Sequence, residues 1–371
     1  MRISQIRVFR ADLPMREGSY SWSTQSHTAF DTSIVLIDTD EGITGVGECC
    51  PLGPTYLPAY ADGVRAGIAQ LAPSLIGHDP TQLDHINAVM DTHLKGHPYV
   101  KSALDMACWD ILGKAANLPL YILLGGKLQE RVTLYKVVTR ADPAAMAERI
   151  PEYRDQGFRQ FQVKVGESPA TDIIRIHRVA QEMQAGEVLN ADANTGWKQH
   201  EALQVADAIA DLGRQTGIRV TFEQPCLSYH ECLAVRQHTN LPFVLDECMD
   251  SIGALLQGYH DHAMDMINLK ISRFGGLTRA RQARDLCVML GLPMNVEDSW
   301  GGEITTAAIA HLAHSTPPAF HFQSSAFHEY ATTQIATGAP SVQNGAMTAS
   351  DAPGLGVEPI LDALEPVAHY P

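Results

Sequence analysis

The chain has few of the features that mark secreted or membrane-spanning proteins. Its 371 residues include only seven cysteines, and no two of them form a CxxC pair. An odd, scattered set of this kind predicts reduced, mostly buried thiols in a cytoplasmic protein rather than a disulfide framework. No apolar run approaches the length of a membrane span, and no apolar signal segment stands at the N-terminus. We therefore expect a cytoplasmic location and no membrane partner.

Positive charge is also scarce in this chain. It has 27 lysines and arginines against 42 aspartates and glutamates, and its formal net charge is -15 at pH 7. That balance argues against a surface that binds nucleic acid or an anionic membrane. The motifs of phosphate-binding loops, zinc proteases and serine hydrolases are absent as well. The partner we expect is a small molecule. Part of the excess negative charge would be neutralised if some of the acids hold a divalent cation.

Five charged residues each lie at or near the end of a short apolar run, and the runs return at intervals of roughly 20 to 30 residues. The runs are 161–165, 188–194, 220–225, 243–247 and 266–271, and the charged residues are Lys164, Asp192, Glu223, Asp246 and Lys270. Continuous Val, Ile, Leu and Phe runs separated by polar helical segments are typical of buried parallel strands in repeated β/α units. On a β/α barrel the ends of such strands form the rim at which active sites lie. The pattern therefore predicts three carboxylates and two amines at one rim.

The same pattern predicts the domain organisation. Residues 1–129 begin with alternating strands and continue as amphipathic helices, which indicates an α+β capping domain. Residues 130–350 contain eight short apolar runs, the first at 132–138 and the last at 320–324, with helices between them. We expect an α/β fold with a TIM-like (β/α) barrel, because the glycine-rich first turn of an open doubly wound sheet is missing. Residues 351–371 lack a further β/α unit and are expected to pack back on the cap.

Asp192, Glu223 and Asp246 are candidate ligands of a magnesium ion. Three oxygen ligands from three neighbouring strands suit a hard cation that keeps open positions. Any one of these acids alone is equally well explained as a rim charge or a helix cap, but their coincidence favours the metal. Asn194 lies two residues beyond Asp192 and points to the same side, where it would orient that ligand or touch the substrate. Glu247 points the opposite way from Asp246 and is expected to support the ligands from behind.

Lys164 and Lys270 are the candidate acid and base. On strands two and six of eight, they would face each other across the barrel mouth. A lysine that ends a buried strand is costly unless its charge is paired or its pKa is lowered. Pairing with a rim carboxylate is the structural alternative to catalysis. Since a nearby cation and a second amine both lower the pKa of an ammonium group, we expect each lysine to approach the range in which an amine acts as a base near neutral pH.

Together these residues resemble the enolase superfamily, in its muconate-lactonizing subgroup. The resemblance extends over the whole chain and is carried by the residues at the strand ends and one helical segment: Lys164, Asp192, Glu223, Asp246, Lys270 and 105–114. It implies a modified (β/α)7β barrel with a capping domain, a Mg2+ cofactor that binds a substrate carboxylate, and a lysine that removes the α-proton. That proton is so weakly acidic that its removal needs a cation beside the developing charge. Gln162 stands where the subgroup usually has a lysine, which removes one positive charge from the site.

A closer resemblance is to members of that family that act on proline derivatives. It is carried by three segments: Gly53 to Tyr56, Asp192 to Trp197 and Asp298 to Gly302. Among these members the chain looks most like dehydratases that convert cis-3-hydroxy-L-proline to Δ1-pyrroline-2-carboxylate. The strand ends, the cap loops and this resemblance together give six candidate contacts for an amino-acid-like carboxylate substrate: Gln162, Asn194, Asp298, Trp300, Tyr56 and Trp22. Tyr56 and Trp22 are equally well explained as packing within the cap loops. Trp300 would meet the ring cation through its π face and Asp298 would accept a ring N–H.

Dehydration of this kind would use both lysines. In a cis-3-hydroxyproline the hydroxyl and the α-hydrogen lie on opposite ring faces, so the acid and the base must do so too. We favour Lys164 as the base and Lys270 as the acid. The same pair can instead pass a proton from one face to the other, which would make the protein a racemase or epimerase of proline betaine, hydroxyproline betaine or another amino-acid derivative. A barrel that only binds a proline-like ligand is a third hypothesis, in which Lys270 has no role in turnover. We also expect a homo-oligomer, because barrels of this kind often form one.

Overall fold

The computed structural model describes every residue of the chain, 1–371. Its N-terminal part is a cap of antiparallel strands and helices. The elements of the cap are β1 (Ile3–Pro14), β2 (Tyr20–Trp22), β3 (Gln25–His27), β4 (Ala29–Thr39), β5 (Thr44–Cys49), α1 (Ala61–Leu75), α2 (Leu83–His93), α3 (Pro98–Ala116) and α4 (Leu120–Leu123). Strands β1, β4 and β5 form one sheet, whose buried apolar residues pack on α1, α2 and α3.

Helix α3 is buried on nearly all sides because it lies between the cap sheet and the barrel. Strand β5 packs directly on one face: a Cβ at Gly47 would stand 1.9 Å from the carbonyl oxygen of Ala103. Only glycine permits so close an approach. On the other face Asp105 accepts hydrogen bonds from the backbone amide and the hydroxyl of Thr278 in the barrel, at 2.9 and 2.6 Å. The cap is therefore fixed to the barrel by both close packing and buried hydrogen bonds.

Eight parallel strands form the barrel, in the order in which they occur along the chain. The elements of this region are β6 (Val132–Thr133), β7 (Lys136–Val138), α5 (Pro143–Asp155), β8 (Gln160–Lys164), α6 (Pro169–Glu182), β9 (Val188–Asp192), α7 (Gln199–Ile209), α8 (Leu212–Thr216), β10 (Arg219–Glu223), α9 (Tyr229–Arg236), β11 (Phe243–Leu245), α10 (Ile252–His260), β12 (Met266–Lys270), α11 (Ile271–Phe274), α12 (Leu277–Leu290), β13 (Met294–Glu297), α13 (Glu303–His314) and β14 (His321–Ser324). Strands β7 to β14 make the barrel sheet, and a parallel bridge between Leu134 and Ser324 brings its two ends together. Helices follow the first seven strands, whereas β14 leads only to a 3-10 turn, so the predicted (β/α)7β barrel is confirmed.

The chain returns to both domains after the barrel. The last strands are β15 (Ala336–Thr337), β16 (Ser341–Gln343), β17 (Ala346–Thr348), β18 (Glu358–Pro359) and β19 (Glu365–Tyr370). Strands β16 and β17 form a small sheet with β6. Strand β19 pairs antiparallel with β1, so that Ile6 lies opposite Tyr370. The cap sheet thus contains residues from both ends of the chain.

Two predicted elements differ from the structure. The polar and aromatic stretch 17–31 has a composition that predicts a loop, but it contains the hairpin of β2 and β3 and the start of β4. The run 132–138, predicted to be one strand, is divided: β6 pairs with β17 outside the barrel, and only β7 enters it. The helices that the hydrophobic periodicity predicts at 143–155 and 277–290 are present as α5 and α12. No helix of the chain has the length and apolar character needed to cross a bilayer.

Candidate active site

The ends of the barrel strands bring the five predicted rim residues together. Lys164 lies beside Asp192 on β8 and β9, and Asp192 lies beside Glu223 on β9 and β10. Asp246 follows the end of β11, and Lys270 is the last residue of β12. All five residues are buried. Parallel pairing in register therefore gathers three acids and two amines at one end of the barrel.

Each lysine is paired with one of the predicted metal ligands. Lys164 Nζ lies 2.5 Å from Oδ2 of Asp192, and Lys270 Nζ lies 2.8 Å from Oδ2 of Asp246. Burial lowers the pKa of both ammonium groups, but the adjoining carboxylates outweigh burial and hold each lysine pKa well above its usual value. The expected lowering depends on a cation beside the amines and stays a prediction, because here each amine faces a carboxylate.

Glu223 is held by three amide side chains inside the barrel. Asn268 Nδ2 donates to its Oε1 at 2.6 Å, and Asn190 Nδ2 donates to its Oε2. Gln162 Nε2 lies 3.3 and 3.4 Å from the two carboxylate oxygens. Burial and the charges of two neighbouring aspartates raise the pKa of Glu223 well above its ordinary value. Gln162 thus contacts a predicted metal ligand and also borders the pocket described below.

Asn194 links Asp192 to Glu247. Its backbone N–H donates to Asp192 Oδ1 at 2.8 Å, and its side-chain Nδ2 donates to Glu247 Oε1 at 3.0 Å. Its φ of +42° is in the left-handed region, which asparagine tolerates better than most residues. Burial and the charges of Asp246 and Asp192 raise the pKa of Glu247 to about 8. Asn194 Oδ1 and Glu247 Oε2 are buried without a hydrogen-bond partner.

The chemistry of these acids suits a divalent cation, although they are not arranged around one point. No three His, Cys, Asp or Glu side chains stand together as a ready set of metal ligands. Burial first, and then the charges of neighbouring aspartates, raise the pKa of Glu223 and of Glu247, so these acids lie in a site of crowded negative charge. A divalent cation relieves such repulsion. The groups present are carboxylate and amide oxygens without thiols or imidazoles, which are the donors that Mg2+ prefers.

Two cap segments cover the rim. The phenol oxygen of Tyr56 accepts a hydrogen bond from Lys270 Nζ at 2.9 Å, and the phenol donates to Asp246 Oδ2 at 3.1 Å. Trp22 packs edge-on against Tyr56, with ring centroids 6.2 Å apart. Both rings line one pocket together with Lys164 and Lys270. The predicted substrate contacts of Tyr56 and Trp22 stay predictions, but the two side chains lie where a ligand between the lysines would meet them.

Trp300 and Asp298 lie differently from what the resemblance implies. Trp300 is 1% exposed and packs behind Tyr20, with ring centroids 4.7 Å apart. Tyr20, and not Trp300, is among the residues that line the pocket. Asp298 borders the pocket, but its carboxylate already accepts three hydrogen bonds: from the amide of Ser272 at 3.0 Å, from the hydroxyl of Ser272, and from the amide of Ser299 at 2.7 Å. Both side chains thus have partners within the rim, and their predicted contacts with the substrate stay predictions.

Three site residues are not singled out by the sequence patterns. Arg273 Nη1 donates to Asp246 Oδ1 at 2.6 Å from the short helix after β12. Glu297 ends β13 and Tyr135 precedes β7, and both line the pocket. The phenol of Tyr135 donates to Oε2 of Glu297. A signal for Glu297 is present in the sequence, since it closes an apolar run as Lys270 does.

Comparison with known proteins gives the family. Residues 5–125 match the model of the mandelate racemase / muconate lactonizing enzyme N-terminal domain, and residues 145–363 match the enolase C-terminal domain-like model. The chain belongs to the mandelate racemase/muconate lactonizing enzyme family. The two matches correspond to the cap and to the barrel with most of its C-terminal extension.

Individual family members resemble the chain over all or most of its length. A cis-3-hydroxy-L-proline dehydratase of Roseibium aggregatum is 52% identical over 372 residues, which is 100% of both chains. An N-succinyl-L-Arg/Lys racemase of Bacillus cereus is 30% identical and covers 85% of both chains. A family member from Roseovarius nubinhibens, solved in complex with magnesium, superposes with a TM-score of 0.94 at 35% identity and covers 100% of both chains.

Proposed function

We propose that this chain is a magnesium-dependent dehydratase that converts cis-3-hydroxy-L-proline to Δ1-pyrroline-2-carboxylate. The observation that carries the proposal is the placement of Lys164 and Lys270 in the lining of one pocket, on the second and sixth barrel strands. The full-length relative that is 52% identical is a dehydratase of this substrate, which supports the choice of reaction.

Asp192, Glu223 and Asp246 are the residues that would hold the magnesium ion. Bound there, the ion supplies positive charge beside the substrate carboxylate, where negative charge grows as the α-proton leaves. The lysine amines now neutralise Asp192 and Asp246. With those carboxylates engaged by the ion, the opposing effect of burial on the lysine pKa values would prevail, and an amine would be able to act as a base.

The two lysines would then divide the elimination between them. The neutral amine of Lys164 takes the proton from Cα, and the electron pair of that C–H bond forms the Cα–Cβ double bond. The ammonium group of Lys270 gives its proton to the C3 hydroxyl, which leaves as water. The resulting enamine becomes the cyclic imine when a proton moves from nitrogen to carbon. Because the two amines stand on different walls of the pocket, anti elimination from the cis isomer is favoured over elimination from the trans isomer.

One experiment tests the reaction and its alternative together. The purified protein with Mg2+ is incubated in deuterated water with cis-3-hydroxy-L-proline, and with the trans isomer as the matched control. Formation of the cyclic imine from the cis isomer alone supports dehydration. Recovery of deuterated substrate with inverted configuration, without imine, would instead identify an epimerase. That second function is retained because the B. cereus relative is a racemase and a lysine pair also suits proton transfer between two faces.

Other expectations from the sequence stay proposals. All seven cysteines are unpaired and six of them are buried, which agrees with a reducing compartment such as the cytoplasm. We also retain the proposal of a homo-oligomer, which analytical ultracentrifugation of the purified protein would test. Neither property enters the chemistry described above.

A further inference from the structure

Glu297 is a buried carboxylate of the pocket that the proposed reaction does not use. It ends β13 and lies beside Lys270 in the barrel sheet. One of its oxygens, Oε2, accepts the phenol proton of Tyr135. The other, Oε1, is 3.6 Å from Lys270 Nζ and accepts no hydrogen bond. Glu297 therefore has one oxygen committed to Tyr135 and one available to a ligand.

The neighbouring acid has no such capacity. Asp298 follows Glu297 just beyond the end of β13 and also borders the pocket. Asp298 is committed to the amide and hydroxyl of Ser272 and the amide of Ser299. The role of N–H acceptor that the resemblance implies for Asp298 is thus better served by Glu297.

The charges of the site also favour a further cation at Glu297. Three cations, Lys164, Lys270 and Arg273, are buried among six carboxylates: Asp192, Glu223, Asp246, Glu247, Glu297 and Asp298. Magnesium held by the predicted ligands would still leave an excess of negative charge. A buried carboxylate without a full complement of partners is costly, and a ligand ammonium would offset that cost.

The order of the strands gives the direction of the ligand. The predicted metal ligands belong to β9, β10 and β11, whereas Glu297 is on β13, on the other side of Lys270. A substrate whose carboxylate faces the metal ligands and whose Cα lies between the two lysines must direct its remaining ring atoms towards β13, β14 and β7. The ring nitrogen, one bond from Cα, then lies on the side of Glu297 and Tyr135.

We propose that Glu297, oriented by Tyr135, is the group that binds the protonated ring nitrogen of the substrate. This inference rests on the proposed function, because it assumes that the ligand is a proline-type amino acid. It makes Glu297 a specificity-determining residue: it selects cyclic amino acids that carry an N–H and discriminates against cyclic carboxylates that lack one. A charge-assisted hydrogen bond of this kind corresponds to a preference of about 10- to 100-fold in affinity.

Calorimetric titration of the magnesium-loaded protein with two ligands tests whether Glu297 binds the ring nitrogen. L-Proline carries the ring N–H, and tetrahydrofuran-2-carboxylate has an ether oxygen in its place. In the wild type, proline should bind about 10- to 100-fold more tightly than tetrahydrofuran-2-carboxylate. Glu297→Gln should abolish that preference and leave the affinity for tetrahydrofuran-2-carboxylate unchanged within about twofold. The increase in melting temperature caused by Mg2+ should stay at its wild-type value, because the metal ligands are untouched.

Two results would overturn the inference. One is an unchanged preference for proline in folded Glu297→Gln. The other is an equal loss of affinity for both ligands, which would indicate general damage to the pocket. Glu297→Asp is the second variant in case the first does not fold, and it should lose at least about threefold of the preference, since its carboxylate is one methylene further from the nitrogen. A wild type that prefers proline but does not dehydrate cis-3-hydroxy-L-proline would leave the nitrogen site standing and remove the proposed reaction.

Discussion

Oε1 of Glu48, in the cap, accepts a hydrogen bond from the backbone amide of Gly302, in the barrel, at 2.8 Å. Oε2 of the same side chain accepts from the amide of Thr305 at 2.9 Å, and Thr32 donates its hydroxyl to Oε1 at 2.8 Å. A carboxylate from one domain therefore caps the first turn of helix α13 in the other, where the amides and the helix dipole both favour negative charge. Burial nevertheless raises the pKa of Glu48, so the charged form of its carboxylate depends on the three hydrogen-bond donors.

We predict that Glu48→Gln lowers the free energy of unfolding by about 2 to 4 kcal/mol. A glutamine has one acceptor oxygen, so its NH2 group would face an amide that also donates. Urea unfolding followed by circular dichroism measures the change. Thr32→Val removes a single donor and should cost less than half as much, and equal unfolding midpoints for Glu48→Gln and the wild type would contradict this role for Glu48.

Proton exchange separates the roles of the two lysines. L-Proline has no hydroxyl to lose, so exchange of its α-hydrogen with deuterated water requires only the base. We predict that Lys164→Ala loses both this exchange and dehydration by about 10²- to 10⁴-fold, whereas Lys270→Ala loses dehydration and keeps exchange. Nuclear magnetic resonance measures both rates. Lys95→Ala, an exposed lysine of the cap, is the control and should behave as the wild type. The opposite pattern would make Lys270 the base.

Metal binding should be visible in stability as well as in turnover. We predict that chelation abolishes dehydration, and that added Mg2+ restores it and stabilises the fold, by about 2.7 kcal/mol at 100 times the dissociation constant. Asp192→Asn should lose this stabilisation, because one predicted ligand no longer carries a charge. Differential scanning calorimetry with and without Mg2+ is the measurement. Asp250→Asn, at an exposed acid near the rim, is the matched control; a Mg2+ effect of the same size in Asp192→Asn would exclude Asp192 as a ligand.

The buried, neutral ring of His311 should make the protein less stable in acid. Its Nδ1 accepts the amide proton of Tyr121 at 3.2 Å and its Nε2 faces the carbonyl oxygen of Leu355 at 3.0 Å, so only the neutral ring satisfies both partners. Burial lowers the pKa of His311 from 6.5 to about 4. Between those values the unfolded chain binds a proton that the folded chain does not, so stability falls as pH drops through this window. Across the whole window the free energy of unfolding should fall by about 3 kcal/mol.

A His311→Gln variant cannot take up that proton. It should be less stable than the wild type at pH 7, because the ring contacts are lost. Its free energy of unfolding, measured in urea at a series of pH values, should fall less steeply between pH 6.5 and 4. Parallel curves for the two proteins would show that another group is responsible for the acid sensitivity.

Much of this site is readable from the sequence because strand ends are the most regular positions of a β/α barrel. Lys164, Asp192, Glu223 and Lys270 were located by one rule, that a charged residue closes an apolar run. The same rule identifies Glu297, which closes the run 293–296.

The residues that precede the rim carry a second signal. Gln162, Asn190, Thr221, Asn268 and Asn295 each stand two positions before a charged strand end, so they share its side of the strand and line the barrel interior. Three of them contact Glu223. A polar barrel interior was therefore predictable from spacing alone.

Other properties of the site depend on tertiary geometry that spacing does not contain. Whether a lysine pairs with an acid or faces a cation is decided by distances of a few ångströms across different strands, and here it decides the direction of the lysine pKa shifts. Trp300 and Tyr20 are 280 positions apart in the chain. Which of their rings faces the pocket is set by packing between the cap and the barrel, and no local pattern expresses it.

The pairing of β19 with β1 has a consequence for synthesis. The outer edge of β1 has no partner until residues 365–370 have left the ribosome, by which time the entire barrel has been made. A nascent cap therefore presents a free strand edge, of the kind that can join another chain, throughout the translation of the second domain. The edge of the cap sheet is therefore covered only after the whole barrel, which lies between β1 and β19 in the chain, has been synthesised.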